Sequence, residues 1–249
     1  MRTSFYNIYI DNINTHELIN NLEQSLFTQE ELQTIFFVNA HCFNIAQRNP
    51  EYIAALHKGT YSLNDGIGMK LASFLKRIKL KENMNGTDLI PKILQFCSKL
   101  PVRVYLLGGK PGVAAQARIK MSNRIPGLNI VGEHDGYFSK SENDSVVRDI
   151  VSKRTDVLIL GMGVPHQEIW IINNKDSLKN VKLAIAGGAI LDFEAGVVKR
   201  APKWIRTLYL EWFFRFLQEP RRLFIRYFYG NILFFINLIK TYNAELAKN

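Results

Sequence analysis

At 249 residues, with 47% hydrophobic and 12% aromatic content, the chain has the apolar material for a sizeable core, which excludes a disordered tail. Only two cysteines are present, which excludes a small disulfide-stapled scaffold. The length suits one large domain, or one domain with an appendage. The formal charge of +10 first suggests nucleic acid, because neutralising phosphates is the commonest use of such a surplus.

In chain order, the N-terminal stretch MRTSFYNIYIDNINTHEL lacks a continuous apolar run and carries Asp11, so no signal peptide is read there and a cytoplasmic protein is expected. Short apolar runs then recur, each ending in glycine or a polar residue. Thr34 to Val38 runs into Asn39, and Tyr61 to Leu63 into Asn64-Asp65-Gly66. Val102 to Leu107 precedes Gly108-Gly109, Val157 to Leu160 precedes Gly161-Met162-Gly163, and Leu183 to Ala186 precedes Gly187-Gly188. Separated by helical stretches such as Ala114 to Arg124, these runs predict buried parallel strands of an α/β sheet. Ligands of such sheets sit beyond the carboxyl ends of the strands, where every one of these polar motifs falls. That shared position predicts an enzyme or a nucleotide binder.

After about Gly196 the texture changes to helical segments dense in Trp, Phe, Tyr and Arg. Trp204, Leu208, Trp212 and Phe216 follow i, i+4 spacing, and Pro220 predicts the first turn of a new helix in which Arg222 and Arg226 share a face. Between Lys199 and Lys240 nine basic residues face only Glu211 and Glu219, so this stretch supplies seven of the ten surplus charges. We therefore expect two parts, a core over residues 1–196 and a basic aromatic helical appendage over 197–249. The most apolar stretch, Tyr227 to Ile239, spans 13 residues and is interrupted by Gly230, Asn231 and Asn237. Crossing a bilayer takes ~20 apolar residues, so this stretch is suited to lying on a membrane surface instead.

Cys42 and Cys97 have no partners at metal-ligand spacing, and the five histidines form no HExxH or Cys/His cluster, so no metal is expected. Gly108-Gly109-Lys110-Pro111-Gly112 has two readings, a backbone cradle for a diphosphate or a tight turn; it matches neither GxGxxG nor the P-loop. Asn64-Asp65-Gly66 is either a turn or a carboxylate placed as a general base at a strand end. In Gly161 to Glu168 a glycine-rich loop presents backbone donors beside His166, Gln167 and Glu168, with His166 either a base or a capping residue. Asp192 either caps a turn or faces the same crevice.

Taken together, several stretches resemble the WecG/TagA/CpsF family of glycosyltransferases. They are Asn39-Ala40-His41, Asn64 to Gly68, Asn85 to Leu89, Leu107 to Val113, Asp135 to Phe138, Gly161 to Glu168, Gly187 to Gly196, Lys199 to Pro202, and Leu210 to Trp212 through Glu219 to Arg222, in family order over nearly the whole chain. The resemblance implies a Rossmann-like core, a UDP-sugar donor, a polyprenyl-diphosphate-linked acceptor at the cytoplasmic membrane face, and inversion at the anomeric carbon without a cofactor or bound metal. It implies that Asp65 is the base, that Asn39, Gln167 and Asp192 hold the sugar, and that Arg215, Arg222 and Arg226 meet the lipid diphosphate and the membrane. Gly108, Gly109 and Gly163 are the backbone positions expected against the donor, and Tyr137 is an aromatic ring suited to stacking on uracil. The resemblance also admits self-association.

Two positions differ from members that transfer N-acetylmannosamine: Phe37 stands where those tend to carry Thr, and Asn83 where they tend to carry Arg. The stretch Glu82 to Asp88 is more similar to members from exopolysaccharide clusters, so the donor stays open among N-acetylmannosamine, its uronate and a hexose. Two other classes make different demands. An RNA-binding module built on the basic tail lacks any RNP, KH or zinc-knuckle pattern. A nicotinamide or S-adenosylmethionine enzyme built on the Gly108 loop requires an acidic ribose partner after the next strand and a fingerprint that is missing.

Overall fold

The computed structural model describes residues 2–28, 31–207 and 210–246, without the side chains of residues 27, 222, 226 and 244–246. Its centre is a parallel six-stranded sheet of β3 (Gln33–Val38), β4 (Tyr61–Asn64), β5 (Arg103–Gly108), β6 (Asn129–His134), β7 (Val157–Gly161) and β8 (Leu183–Ala186), in the order β4-β3-β8-β7-β5-β6. The five predicted apolar runs are the five strands β3, β4, β5, β7 and β8. The sixth, β6, lies at the sheet edge with Gly132, Glu133 and His134 breaking its apolar pattern, and its pairing with β5 shifts register between Val104 and Tyr105. A short antiparallel hairpin, β1 (Arg2–Phe5) with β2 (Ile8–Asp11), precedes the sheet and turns through Tyr6 in the left-handed region at φ 57°.

Alternation along the strands divides the core in two. Ile35, Leu63, Val104, Leu106, Ile159 and Ile185 face α1 (Thr15–Thr28), α5 (Gly86–Cys97), α6 (Val113–Arg124) and α9 (Ile190–Ala195). Phe36, Val38, Tyr105, Leu107, Leu158 and Leu160 face α2 (Ala40–Ala46), α3 (Pro50–Lys58), α7 (Asn143–Ser152) and α8 (His166–Asn173). Both faces are covered, which is why these strands read as continuous apolar runs. α4 (Gly66–Leu75) follows β4 and buries Met69, Ala72 and Ser73.

Beyond Gly196 the chain forms α10 (Lys203–Thr207), α11 (Glu211–Gln218), α12 (Pro220–Phe224), a π-helical turn (Ile225–Tyr229) and α13 (Gly230–Leu246). Pro220 opens α12 as predicted, since a first-turn proline sacrifices no helical hydrogen bond. The single i, i+4 face expected from Trp204 to Phe216 is instead split between α10 and α11; Leu208 lies outside the described residues. Arg222 sits in α12 and Arg226 in the π-helical turn, so one regular α-helix does not carry both, and their side chains lie outside the description.

The C-terminal segment returns to the core. On α13, Phe234 and Leu238 are buried against the cluster that includes Phe43, and the Phe234 and Phe43 rings meet edge-on at 5.5 Å. Buried Asn44 of α2 donates to the Gly230 carbonyl at 2.7 Å and accepts from Asn237 Nδ2 at 3.0 Å. Among the described residues, no helix is long and apolar enough to cross a membrane.

Candidate active site

All six parallel strands end at one edge, and the loops leaving them line a single cleft of about 1060 Å³. Asn39 follows β3, Asp65 follows β4, Gly109 and Lys110 follow β5, Gly136 and Tyr137 follow β6, Met162 and Gly163 follow β7, and Gly187 and Gly188 follow β8. The N-terminal ends of α2, α4, α5, α8 and α9 open on the same space. Helix N-termini present unpaired N–H groups and the positive end of the helix dipole, so their convergence makes the cleft a receptor for an anion.

Asp65 occupies the N-cap position of α4 with extended backbone (φ −126°, ψ 122°), and its N–H donates to the Val38 carbonyl at 2.9 Å. Its carboxylate makes no capping bond. That task passes to Asn83, whose Oδ1 accepts from the Gly66 N–H at 2.8 Å. Asn39 Nδ2 approaches Asp65 Oδ2 at 3.5 Å, while Asn39 Oδ1 accepts from the N–H groups of His41 and Cys42. Asn39 therefore caps α2 with one end of its amide and steadies Asp65 with the other.

The loop carrying Asn83 is itself fixed. Asn64 Nδ2 donates to the Glu82 carbonyl at 2.9 Å, the Met84 N–H donates to the Asn64 carbonyl at 3.0 Å, and Glu82 accepts from Thr15 through both N–H and Oγ1. Phe37 and Asn83, the two positions singled out in the sequence, both line the cleft.

Gln167 is 1% exposed: its Oε1 accepts from the Gly188 N–H at 3.0 Å, and its Nε2 donates to Glu168 Oε1 at 2.8 Å. Its amide thus ties α8 to the β8–α9 loop from beneath the cleft. Glu168 is fully buried, its Oε2 has no hydrogen-bond partner among the described residues, and desolvation pushes its pKa up to about 7. Burial also raises the Tyr52 phenol.

Gly109, Gly163, Asp192 and Tyr137 all line the cleft, with Tyr137 71% exposed at the rim. Gly108 stands outside the lining. At φ +143° it pairs with Gly161, and a Cβ there would lie 2.5 Å from the Gly161 carbonyl carbon, so its lack of a side chain lets the ends of β5 and β7 close together. Asp135, at the end of the strand after the Gly108 loop, spends its Oδ1 on the Tyr137 N–H at 2.8 Å.

The C-terminal segment supplies the outer wall through Arg206, Glu211, Trp212, Arg215, Tyr227 and Phe235. Arg215 lies over the Phe193 ring, 5.2 Å from its centroid. Asp88 at the start of α5 receives both Arg200 (2.7 Å) and Arg206 (2.9 Å), and Arg200 also reaches Glu211 at 3.5 Å. Sequence reasoning missed this network: it counted Arg200 and Arg206 in the tail's free charge and gave Asp88 no role. Among the described residues, no group of three or more His, Cys, Asp or Glu side chains is placed to hold a metal ion.

A parallel sheet whose strand ends, helix N-termini and one strand-end carboxylate converge on a large cleft is the architecture of an enzyme or a nucleotide binder. A model described as the Glycosyl transferase WecG/TagA/CpsF family matches residues 3–247, and the chain belongs to that family of glycosyltransferases. A relative from Bacillus subtilis (strain 168), named N-acetylglucosaminyldiphosphoundecaprenol N-acetyl-beta-D-mannosaminyltransferase, is 31% identical over 219 residues, covering 88% of this chain and 84% of the relative. A protein of the same name from Staphylococcus aureus (strain MW2) is 28% identical over 215 residues, covering 86% of this chain and 83% of its own length.

Proposed function

We propose that this glycosyltransferase moves N-acetylmannosamine or a related sugar from a UDP-sugar to a polyprenyl-diphosphate-linked glycan, with inversion, in cell-surface polysaccharide assembly. The observation that carries the reading is the position of Asp65, a carboxylate at a strand end inside a cleft ringed by helix N-termini. Asp65 takes the proton of the acceptor hydroxyl as that oxygen bonds to the anomeric carbon and the bond from that carbon to UDP breaks. Such a base contributes ~10²- to 10⁴-fold in rate. The negative charge developing on UDP is met by the N-termini of α8 and α9 and by Arg215 at the cleft wall. Asn39 orients Asp65, Gln167 holds the Gly188 loop against the donor, Asp192 contacts the sugar and Tyr137 stacks on the base.

The same reading places the enzyme on the inner face of the cell membrane, held by the 197–249 segment with Arg222 and Arg226 toward lipid phosphates. Its support is the exposed apolar surface of that segment, including Leu217, Phe224, Ile225, Tyr229 and Ile232, beside a basic sequence. The test is a transfer assay with a panel of UDP-sugars and a polyprenyl-diphosphate-linked sugar acceptor, with the anomeric configuration of the product read by NMR. Consumption of one donor with inversion is expected; no consumption of any donor, or retention, overturns the reading. Arg222→Glu with Arg226→Glu is expected to weaken binding to anionic vesicles, since each basic residue near such a surface contributes ~1 kcal/mol.

A further inference from the structure

α4 begins at Asp65 and carries one charged residue, Lys70, in its ten positions. Its buried side is Met69, Ala72 and Ser73, yet its outward side is also apolar: Ile67, Leu71, Phe74 and Leu75 are exposed, Phe74 by 77%. A helix face meant for water carries charges at these positions. The stripe is continuous with the cleft, because Ile67 and Leu71 line it together with Phe234 and Phe235 of α13. The two helices are in contact, with the Phe234 ring 3.6 Å from where a Cβ on Gly68 would stand. On α13 a second stripe of Ile232, Phe235, Ile236 and Ile239 is exposed.

The end of α4 adds charge of one sign. From Lys70 to Lys81 the chain carries Lys70, Lys76, Arg77, Lys79 and Lys81 and no acidic residue. Arg77 adopts the left-handed region at φ 55°, and the Ile78 N–H donates to the Ser73 carbonyl at 2.8 Å, so the chain turns sharply and leaves Phe74 and Leu75 at a protruding corner. Lys76 lies over the Tyr6 ring and Lys81 pairs with Glu17, whereas Arg77 and Lys79 are exposed beside that corner.

We propose that α4 is a membrane-contacting element of the catalytic core itself, distinct from the basic tail. Phe74 and Leu75 enter the boundary between headgroups and acyl chains of an anionic bilayer, while Arg77 and Lys79 meet lipid phosphates. This seats the cleft mouth, and Asp65 at the inner end of the same helix, against the surface in which a lipid-linked acceptor is embedded. The proposal rests on the membrane reading given above. Its occupant is the bilayer and not a second copy of the chain, because the exposed charges beside the apolar corner, Arg77 and Lys79, are both basic and would repel their own copies.

The test uses the full chain and vesicles of phosphatidylcholine with phosphatidylglycerol, comparing the parent with Phe74→Ser/Leu75→Ser and with Arg77→Glu/Lys79→Glu. Co-sedimentation is expected to weaken by about tenfold or more in each double variant. Transfer to a membrane-embedded acceptor should fall in step, while transfer to a short-chain, water-soluble acceptor stays at the parental rate. Parental vesicle binding by both variants overturns the proposal. So does a shift from dimer to monomer in sedimentation velocity with vesicle binding unchanged, which would make the corner a self-association face. If the parent transfers no sugar to any acceptor, the functional reading fails, and vesicle binding still decides the role of α4.

Discussion

Replacing Glu168 by Gln removes a titrating proton from the core beneath the cleft without changing the shape of the side chain. In the folded protein desolvation raises this carboxyl from its ordinary value of 4.5 to about 7. Below pH 4.5 the group is protonated whether the chain is folded or not, and its contribution to stability is fully present. Between 4.5 and about 7 the unfolded chain releases the proton while the folded chain keeps it, so stability falls with rising pH; above about 7 the loss is complete. At ~1.4 kcal/mol per pH unit over that window, the loss comes to about 3 kcal/mol. The neighbours do not mask the effect, since the Tyr52 phenol is pushed up by burial and the Gln167 amide does not titrate. Urea unfolding of the parent and Glu168→Gln at pH 4.5, 5.5, 6.5 and 7.5 should give curves that separate steadily, with the stability of the variant minus that of the parent rising by about 3 kcal/mol from pH 4.5 to 7.5 because the parent loses it. Any constant offset from the new amide cancels in that difference. Parallel curves would refute the assignment of a buried, desolvated carboxyl at this position.

Gly108→Ala places a Cβ 2.5 Å from the backbone of Gly161 and is expected to cost about 3 kcal/mol or more in urea unfolding. Gly163→Ala, where φ is +79° and nothing lies within 4 Å of the new Cβ, should cost only about 1 kcal/mol, and equal losses would contradict the close-approach argument. Phe234→Ala empties a site that is 2% exposed, a change typically worth ~3–5 kcal/mol. Because Phe234 and Leu238 are the buried contacts that seat α13 on the core cluster, that loss should appear as its detachment, read as new proteolytic cleavage near Gly230 with the core left intact. Protease resistance equal to the parent would mean that α13 is held without Phe234.

The parallel sheet was legible because helices cover both its faces, which makes each central strand a short uninterrupted apolar run. β6 escaped notice for the opposite reason: it is an edge strand whose glycine and polar end erase that pattern. The positions around the cleft were legible as strand ends, but what their side chains bond to was not. Gln167 and Asn39 look alike in sequence as polar residues after apolar runs; one is buried and ties two loops together, while the other is half-buried beside Asp65. Ion pairs between Asp88 and Arg200 or Arg206 join residues more than a hundred positions apart, and no local spacing encodes them. They also revise the charge argument, since two of the nine basic residues of the tail are spent on fastening it to α5. The exposed corner of α4 was likewise invisible, because Phe74 and Leu75 differ from core residues only in which way the folded helix turns them.

Sugar transfer as proposed here turns on Asp65 acting as the base. Its most direct test is the rate of transfer from the UDP-sugar donor to the lipid-linked acceptor by Asp65→Asn against the parent, with donor affinity measured separately by calorimetry. With Asp65 as the base, transfer should fall by ~10²- to 10⁴-fold while donor affinity stays within a few-fold of the parent. Transfer by Asp65→Asn at the parental rate would contradict that role.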